Sequence, residues 1–174
     1  MNFYKYFLII SVFFSLSIVK SAETIAYLDM KVVFSNSLVG KSLQLDLANI
    51  KNKLVEDLQD KEKILKELDA KILSQKNILT KKDYENKVSL LKKDIIEYKK
   101  IVFDNETILK KKQAEANSLL MKHLTPIIAE YSKKNSISML IDKKNIIIAK
   151  SSLDITDSII KLLDNKIKKI DLIK

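Results

Sequence analysis

With 174 residues the chain is long enough for one domain of ordinary size. One Gly, one Pro and no Cys exclude a glycine-rich phosphate loop, a tight all-β architecture, a disulfide framework and a thiolate metal site. The formal net charge of +10 is carried by Lys alone and favours acidic partners or anionic surfaces.

The N-terminus has the three parts of a secretory signal: a short basic start from Met1 to Lys5, an apolar run from Tyr6 to Val19, and the small residues Ser21 and Ala22. The run is shorter than the ~20 residues of a membrane-spanning helix, which favours cleavage over anchoring. Residues 1–22 are therefore expected to be removed, with the cut after Ser21 or Ala22. Losing Lys5 and Lys20 takes the net charge from +10 to +8.

Thr24 to Asp29 is apolar and β-forming, which predicts a strand carrying Ile25, Tyr27 and Leu28. Met30 to Asn36 predicts a short helix carrying Val33 and Phe34. Ser37 to Gly40 reads as a bend that launches a long helical arm.

That arm runs from Gly40 to Leu79, and a second runs from Lys81 to Tyr131. The first carries a stripe through Leu43, Leu47, Ile50, Leu54, Leu58, Leu65, Leu68 and Ile72, with the 3.6 period of a straight helix. The second carries Tyr84, Val88, Leu91, Ile95, Tyr98, Val102, Leu109 and Ala116, closer to the 3.5 period of a left-handed coil. Folding the chain about residue 78 pairs Ile72 with Tyr84, Leu65 with Leu91, Leu54 with Val102 and Leu47 with Leu109. The tip then lies at residues 77–80, with Thr80 and Asp83 capping the second arm. The hairpin should reach roughly 50 Å at 1.5 Å per residue. It is too thin for a core of its own and needs a base. Near that base, Pro126 either kinks the second arm or starts a fresh segment capped by Thr125.

Ile137 to Ile141 predicts a second strand, Asp142 to Asn145 a turn, and Ile146 to Ala149 a third strand closing a β-hairpin. Asp154 or Thr156 should cap a last helix carrying Ile155, Ile159, Ile160, Leu162, Leu163 and Ile167. The fold class is α+β and mostly α. A β-rich body spans residues 23–40 and 127–174, and the hairpin arm spans 41–126. A body this small is marginal alone, so oligomerisation through Ile25, Tyr27, Leu28, Ile146, Ile147 and Ile148 is expected.

Two segments carry a family resemblance. Ile25-Ala26-Tyr27-Leu28-Asp29 through Ser37, followed by Gly40-Lys41, resembles the opening strand, short helix and bend of the Skp/OmpH periplasmic chaperones. Leu140-Ile141-Asp142 through Ala149, followed by Leu153-Asp154-Ile155-Thr156-Asp157, resembles their closing hairpin and helix. Lys150-Ser151 departs from the acidic residue and Pro that often precede this last segment. The resemblance implies a homotrimer whose β-rich body carries three helical tentacles around a cavity. It also implies an ATP-independent holdase that keeps unfolded outer-membrane β-barrel proteins soluble in the periplasm.

The side-chain chemistry points the same way. His123, the only His, falls on the apolar stripe and reads as a packing residue, with a pH-sensitive contact as the lesser alternative. Glu56, Asp57, Asp60 and Glu62 are interleaved with Lys, as on a solvated helix face rather than in an acid/base pair. No nucleophile has an activating partner and no cofactor motif is present, so an enzyme is not expected. From Lys41 to Lys134 there are 21 Lys and 15 acids, a net of +6. Lys92, Lys93, Lys99 and Lys100 either keep the helix soluble or attract acidic proteins and an anionic membrane surface. Nucleic acid is not an expected partner of an exported protein. Ile96, Ile101, Phe103 and Ile108 lie off the main stripe. With the Lys pairs, Phe103 and Ile108 are the candidate contacts for unfolded chains. The alternative function is a structural coiled-coil protein of the envelope, bound to a fixed partner or the membrane surface.

Overall fold

The computed structural model describes residues 24–172, so the expected signal over 1–22 lies outside the described residues. The chain runs through β1 (Thr24–Leu28), α1 (Met30–Asn36), α2 (Leu38–Ser74), α3 (Lys81–Lys134), β2 (Ile137–Asp142) and α4 (Thr156–Lys166). Two short 3-10 turns, Lys143–Asn145 and Ser151–Leu153, separate β2 from α4.

Local chemistry sets the boundaries. Asp29 caps α1 by accepting from the Val32 amide at 3.0 Å. Ser37, fully buried, caps α2 by accepting from the Gly40 amide at 3.0 Å. The bend is tighter than expected, and Gly40 already lies inside α2. No left-handed backbone requires glycine there, but a Cβ at this position would come 2.0 Å from the Phe34 carbonyl oxygen. The lone glycine therefore permits the close approach of α1 to the first turn of α2.

At the other end α2 stops at Ser74, and a turn through Leu79 leads into α3. Thr80 caps α3 as expected: its Oγ1 accepts from the Asp83 amide at 3.2 Å and donates to Asp83 Oδ2 at 2.6 Å. α3 is one helix of 54 residues with Pro126 inside it. The fresh-segment alternative for Thr125 does not hold. Its Oγ1 instead donates back to the Met121 carbonyl at 2.8 Å.

β1 and β2 pair in parallel, with Ala26 opposite Leu140 and Tyr27 opposite Ile141. The whole α-hairpin is the crossover between them, long enough for a parallel pair. The expected third strand at Ile146–Ala149 is not formed. Ile146 N–H instead closes the 3-10 turn onto the Lys143 carbonyl at 3.0 Å, and Asp142 Oδ1 accepts from the Lys144 amide. This turn leads the chain away from β2 rather than back along it. The free side of Tyr27 bridges to Asp154, where Ile155 N–H donates to the Tyr27 carbonyl at 3.0 Å. The cap of α4 is also shifted: Ile155 holds the N-cap position, and Asp154 Oδ1 accepts from the Thr156 amide.

The core lies where these elements meet. Val33, Val39, Leu43, Leu120, Leu124, Ile159 and Leu163 are fully buried, with Leu28 beside them. Away from this base, the expected seam of the hairpin is only half-buried at Leu54, Leu58, Leu65, Leu68, Ile95, Tyr98 and Val102. Only Ile72 and Leu91 are buried near the tip. Asn105, which interrupts the stripe, donates across the hairpin to the Leu54 carbonyl at 3.5 Å. His123 sits on the seam, partly buried.

Candidate functional site

No described helix is long and apolar enough to cross a membrane, and no group of His, Cys, Asp and Glu among the described residues is placed to hold a metal. An open groove of about 630 Å³ lies at the base over Met30, Phe34, Leu120 and Met121. Its polar lining includes Gln44, whose Nε2 donates to the Phe34 carbonyl at 2.9 Å. It contains neither a nucleophile beside a base nor paired carboxylates. What the molecule offers is surface.

Positions three and four apart share a helix face, so spacing sorts the expected contact residues of α3. Lys92, Ile96, Lys99 and Phe103 form one exposed line. Lys93 and Lys100 lie on the adjoining outer face and are also exposed. Ile108, seven residues after Ile101, belongs to the opposite flank. The six residues therefore do not form one site. Phe103 is 68% exposed, and its ring reaches solvent rather than the seam.

The flank that bears Ile101 is concave beside the seam. Two open troughs of about 220 and 300 Å³ lie between the arms and share Leu68 and Asp94, so they are successive lengths of one channel. Its apolar lining includes Ile64, Leu65, Leu68 and Ile72 from α2, and Leu90 and Ile101 from α3. Asp94 and Glu97 stand on the α3 wall, Lys61 and Lys71 on the α2 wall. Lys87 donates to Gln75 Oε1 at 2.8 Å and closes the tip end. Sequence reasoning missed this channel. Its signal was a second line at steps of four and three, Leu90, Asp94, Glu97 and Ile101, which mixes acids with apolar residues.

At the base, the residues expected to build an oligomer divide. Tyr27 and Leu28 are buried within the chain's own core, and Ile146 is partly buried. Ile25 is exposed at the start of the sheet, while Ile147 and Ile148 are 104% and 90% exposed. A polar knot anchors the segment bearing them. Lys143 Nζ lies 3.2 Å from Asp29 Oδ2, and the Asp29 amide donates to Thr156 Oγ1 at 2.9 Å. The Val32 amide holds the Asp29 carboxyl below its ordinary range; burial, the next influence, opposes it, and the Lys143 ammonium adds to the lowering. Lys143 is raised in turn, chiefly by its hydrogen bond to Asp29.

A family model described as outer membrane protein (OmpH-like) matches residues 24–163. The fold is also that of the crystal structure described as a candidate outer membrane chaperone (OmpH-like) from Caulobacter crescentus CB15. The TM-score is 0.75 and the identity 19%, over 86% of this chain and 88% of that one. No curated protein matches the chain.

Proposed function

Because this chain belongs to the OmpH-like family of outer membrane proteins, we propose that it is a periplasmic holdase. It takes up unfolded outer-membrane β-barrel proteins and keeps them from aggregating until membrane assembly, without ATP and without catalysis. The observation that carries this reading is the hairpin. Its 37-residue first helix spans about 55 Å at 1.5 Å per residue, and its seam stays half-buried along most of that length. Apolar residues outside the seam remain open to solvent, as weak and non-directional contacts for varied clients require. Release then follows when a client finds a more stable fold or membrane environment.

The working unit is a homotrimer closed through the base. A two-stranded sheet is marginal by itself, and the exposed Ile147-Ile148 pair is too apolar to remain in water. Ile147→Asp should therefore yield monomers or aggregates in sedimentation, whereas deleting the tip from Ser74 to Asp83 should leave the trimer intact. The activity is tested by diluting a urea-unfolded outer-membrane β-barrel protein into buffer with the mature protein and no nucleotide. Light scattering should stay near baseline at one trimer per client. Scattering that rises as it does in buffer alone would leave the structural-tether alternative in place.

A further inference from the structure

We propose that clients are held along one flank of the hairpin only, the channel that runs past Leu90, Leu68, Ile64 and Ile101, and that its occupant is a single extended segment. The proposal rests on the holdase reading above and adds the surface and the conformation of what it holds. From Leu90 to Ile101 the lane measures about 17 Å at 1.5 Å per helical residue. An extended chain rises about 3.3 Å per residue, so the lane accommodates roughly five residues. That is about half of the 9–11 residues of one transmembrane β-strand. Such strands alternate apolar and polar side chains, so every second residue can enter the apolar floor while its neighbours face water.

The walls distinguish an extended chain from a helix. An extended segment carries unpaired N–H and C=O groups along both edges. Asp94 and Glu97 on one wall can accept from its amides, and Lys61 and Lys71 on the other can donate to its carbonyls. None of these four side chains is in an ion pair among the described residues, so all are free for that role. The arm of a second copy fits less well. Its backbone is already satisfied, and it needs an apolar residue at nearly every step of three or four, where this lane presents Asp94 and Glu97 in succession.

The absence of Cys makes the test direct, because Ile64→Cys and Phe103→Cys each create a single attachment point. The two native side chains are 61% and 68% exposed, so accessibility is matched across the two flanks. Each variant carries a benzophenone photo-crosslinker and is mixed with a urea-unfolded outer-membrane β-barrel protein on dilution. Cross-linking from position 64 should exceed that from 103 by about fivefold, in line with loss of a bound apolar contact of ordinary size. A ten-residue peptide of alternating apolar and polar residues should compete, and the same composition with its apolar residues clustered should not. The double variant Ile64→Ser, Leu90→Ser should speed client release about tenfold, against less than about twofold for Ile96→Ser, Phe103→Ser. Equal yields, or a higher yield from 103, overturn the lane while the holdase reading stands. Copy-to-copy cross-links from 64 that persist with client present assign the channel to a second arm and overturn it. If the unsubstituted protein holds no client at all, both readings fall together.

Discussion

The base and the arm are built from the same residue types but hold them differently. At the base, the sheet, all four helices and the chain around Leu172 converge and seal Leu43, Leu120, Leu124, Ile159 and Leu163 completely. Along the arm only two helices meet, so Leu54, Leu58, Tyr98 and Val102 each keep part of their surface in water. A pair of helices cannot surround a side chain, whereas a third element can. The base therefore supplies stability and the arm supplies accessible apolar surface.

Large-to-small substitutions should break this comparison most visibly. Leu163→Ala removes a side chain with no exposed area and should cost about 2–5 kcal/mol. Leu58→Ala, at a half-buried seam position, should cost about 1 kcal/mol. Urea midpoints of the two variants measure both, and equal losses would mean that the arm is as much a core as the base.

Gly40→Ala comes next. Alanine is the better helix former by about 1 kcal/mol. The atom in its way, however, is the Phe34 carbonyl oxygen, part of the backbone and unable to swing aside. A net loss of about 1–3 kcal/mol is expected from overpacking at the α1–α2 junction. A gain in thermal midpoint would show that the junction relaxes freely.

Much of this architecture was legible in the sequence, for physical reasons. The long seams follow a helical period over many turns, and Thr80 and Asp83 mark the tip by chemistry that acts locally. The strand predicted at Ile146–Ala149 failed because β propensity reports what a segment can pair with, and the 3-10 turn at Lys143–Asn145 steers it away from β2. Tyr27 and Leu28 look like interface residues in a list of apolar strand positions, yet their own core covers them. The channel escaped notice because Asp94 and Glu97 lie within its apolar line, and a search for hydrophobic periodicity passes over such a line. Phe103 and Ile108 were grouped by composition, and only their five-residue separation reveals that they face different ways.

A smaller effect follows from Asp29. Its carboxyl is held below the ordinary range in the folded chain, so the stability it contributes is present above its unfolded value, about 3.9, and is lost as pH falls through the lower folded value. Asp29→Asn should lower the urea midpoint at pH 7, and the gap from the unsubstituted protein should narrow towards pH 3. A gap that stays constant across this range would show that the folded chain does not hold the Asp29 carboxyl down.

The smallest expected effect lies on the outer faces of the arm. Changing Lys92, Lys93, Lys99 and Lys100 to Gln should slow client association and flatten its salt dependence, with helix content unchanged. Release should be unaffected, because these side chains lie outside the channel. Stopped-flow rates across a salt series separate the two. An unaltered capture rate would mean that the lysines only solvate the helix.

Hydrogen–deuterium exchange of the mature protein, alone and with an unfolded outer-membrane β-barrel protein, tests the division of labour most directly. Alone, amides of α4 and of α3 near Leu120 and Leu124 should exchange slowest, and those of the arm between residues 50 and 110 faster. With client bound, protection should rise over residues 61–72 and 87–101 while the base stays as it was. Protection that rises at the base, with the arm unchanged, would contradict the claim that the base holds the molecule together and the arm holds the client.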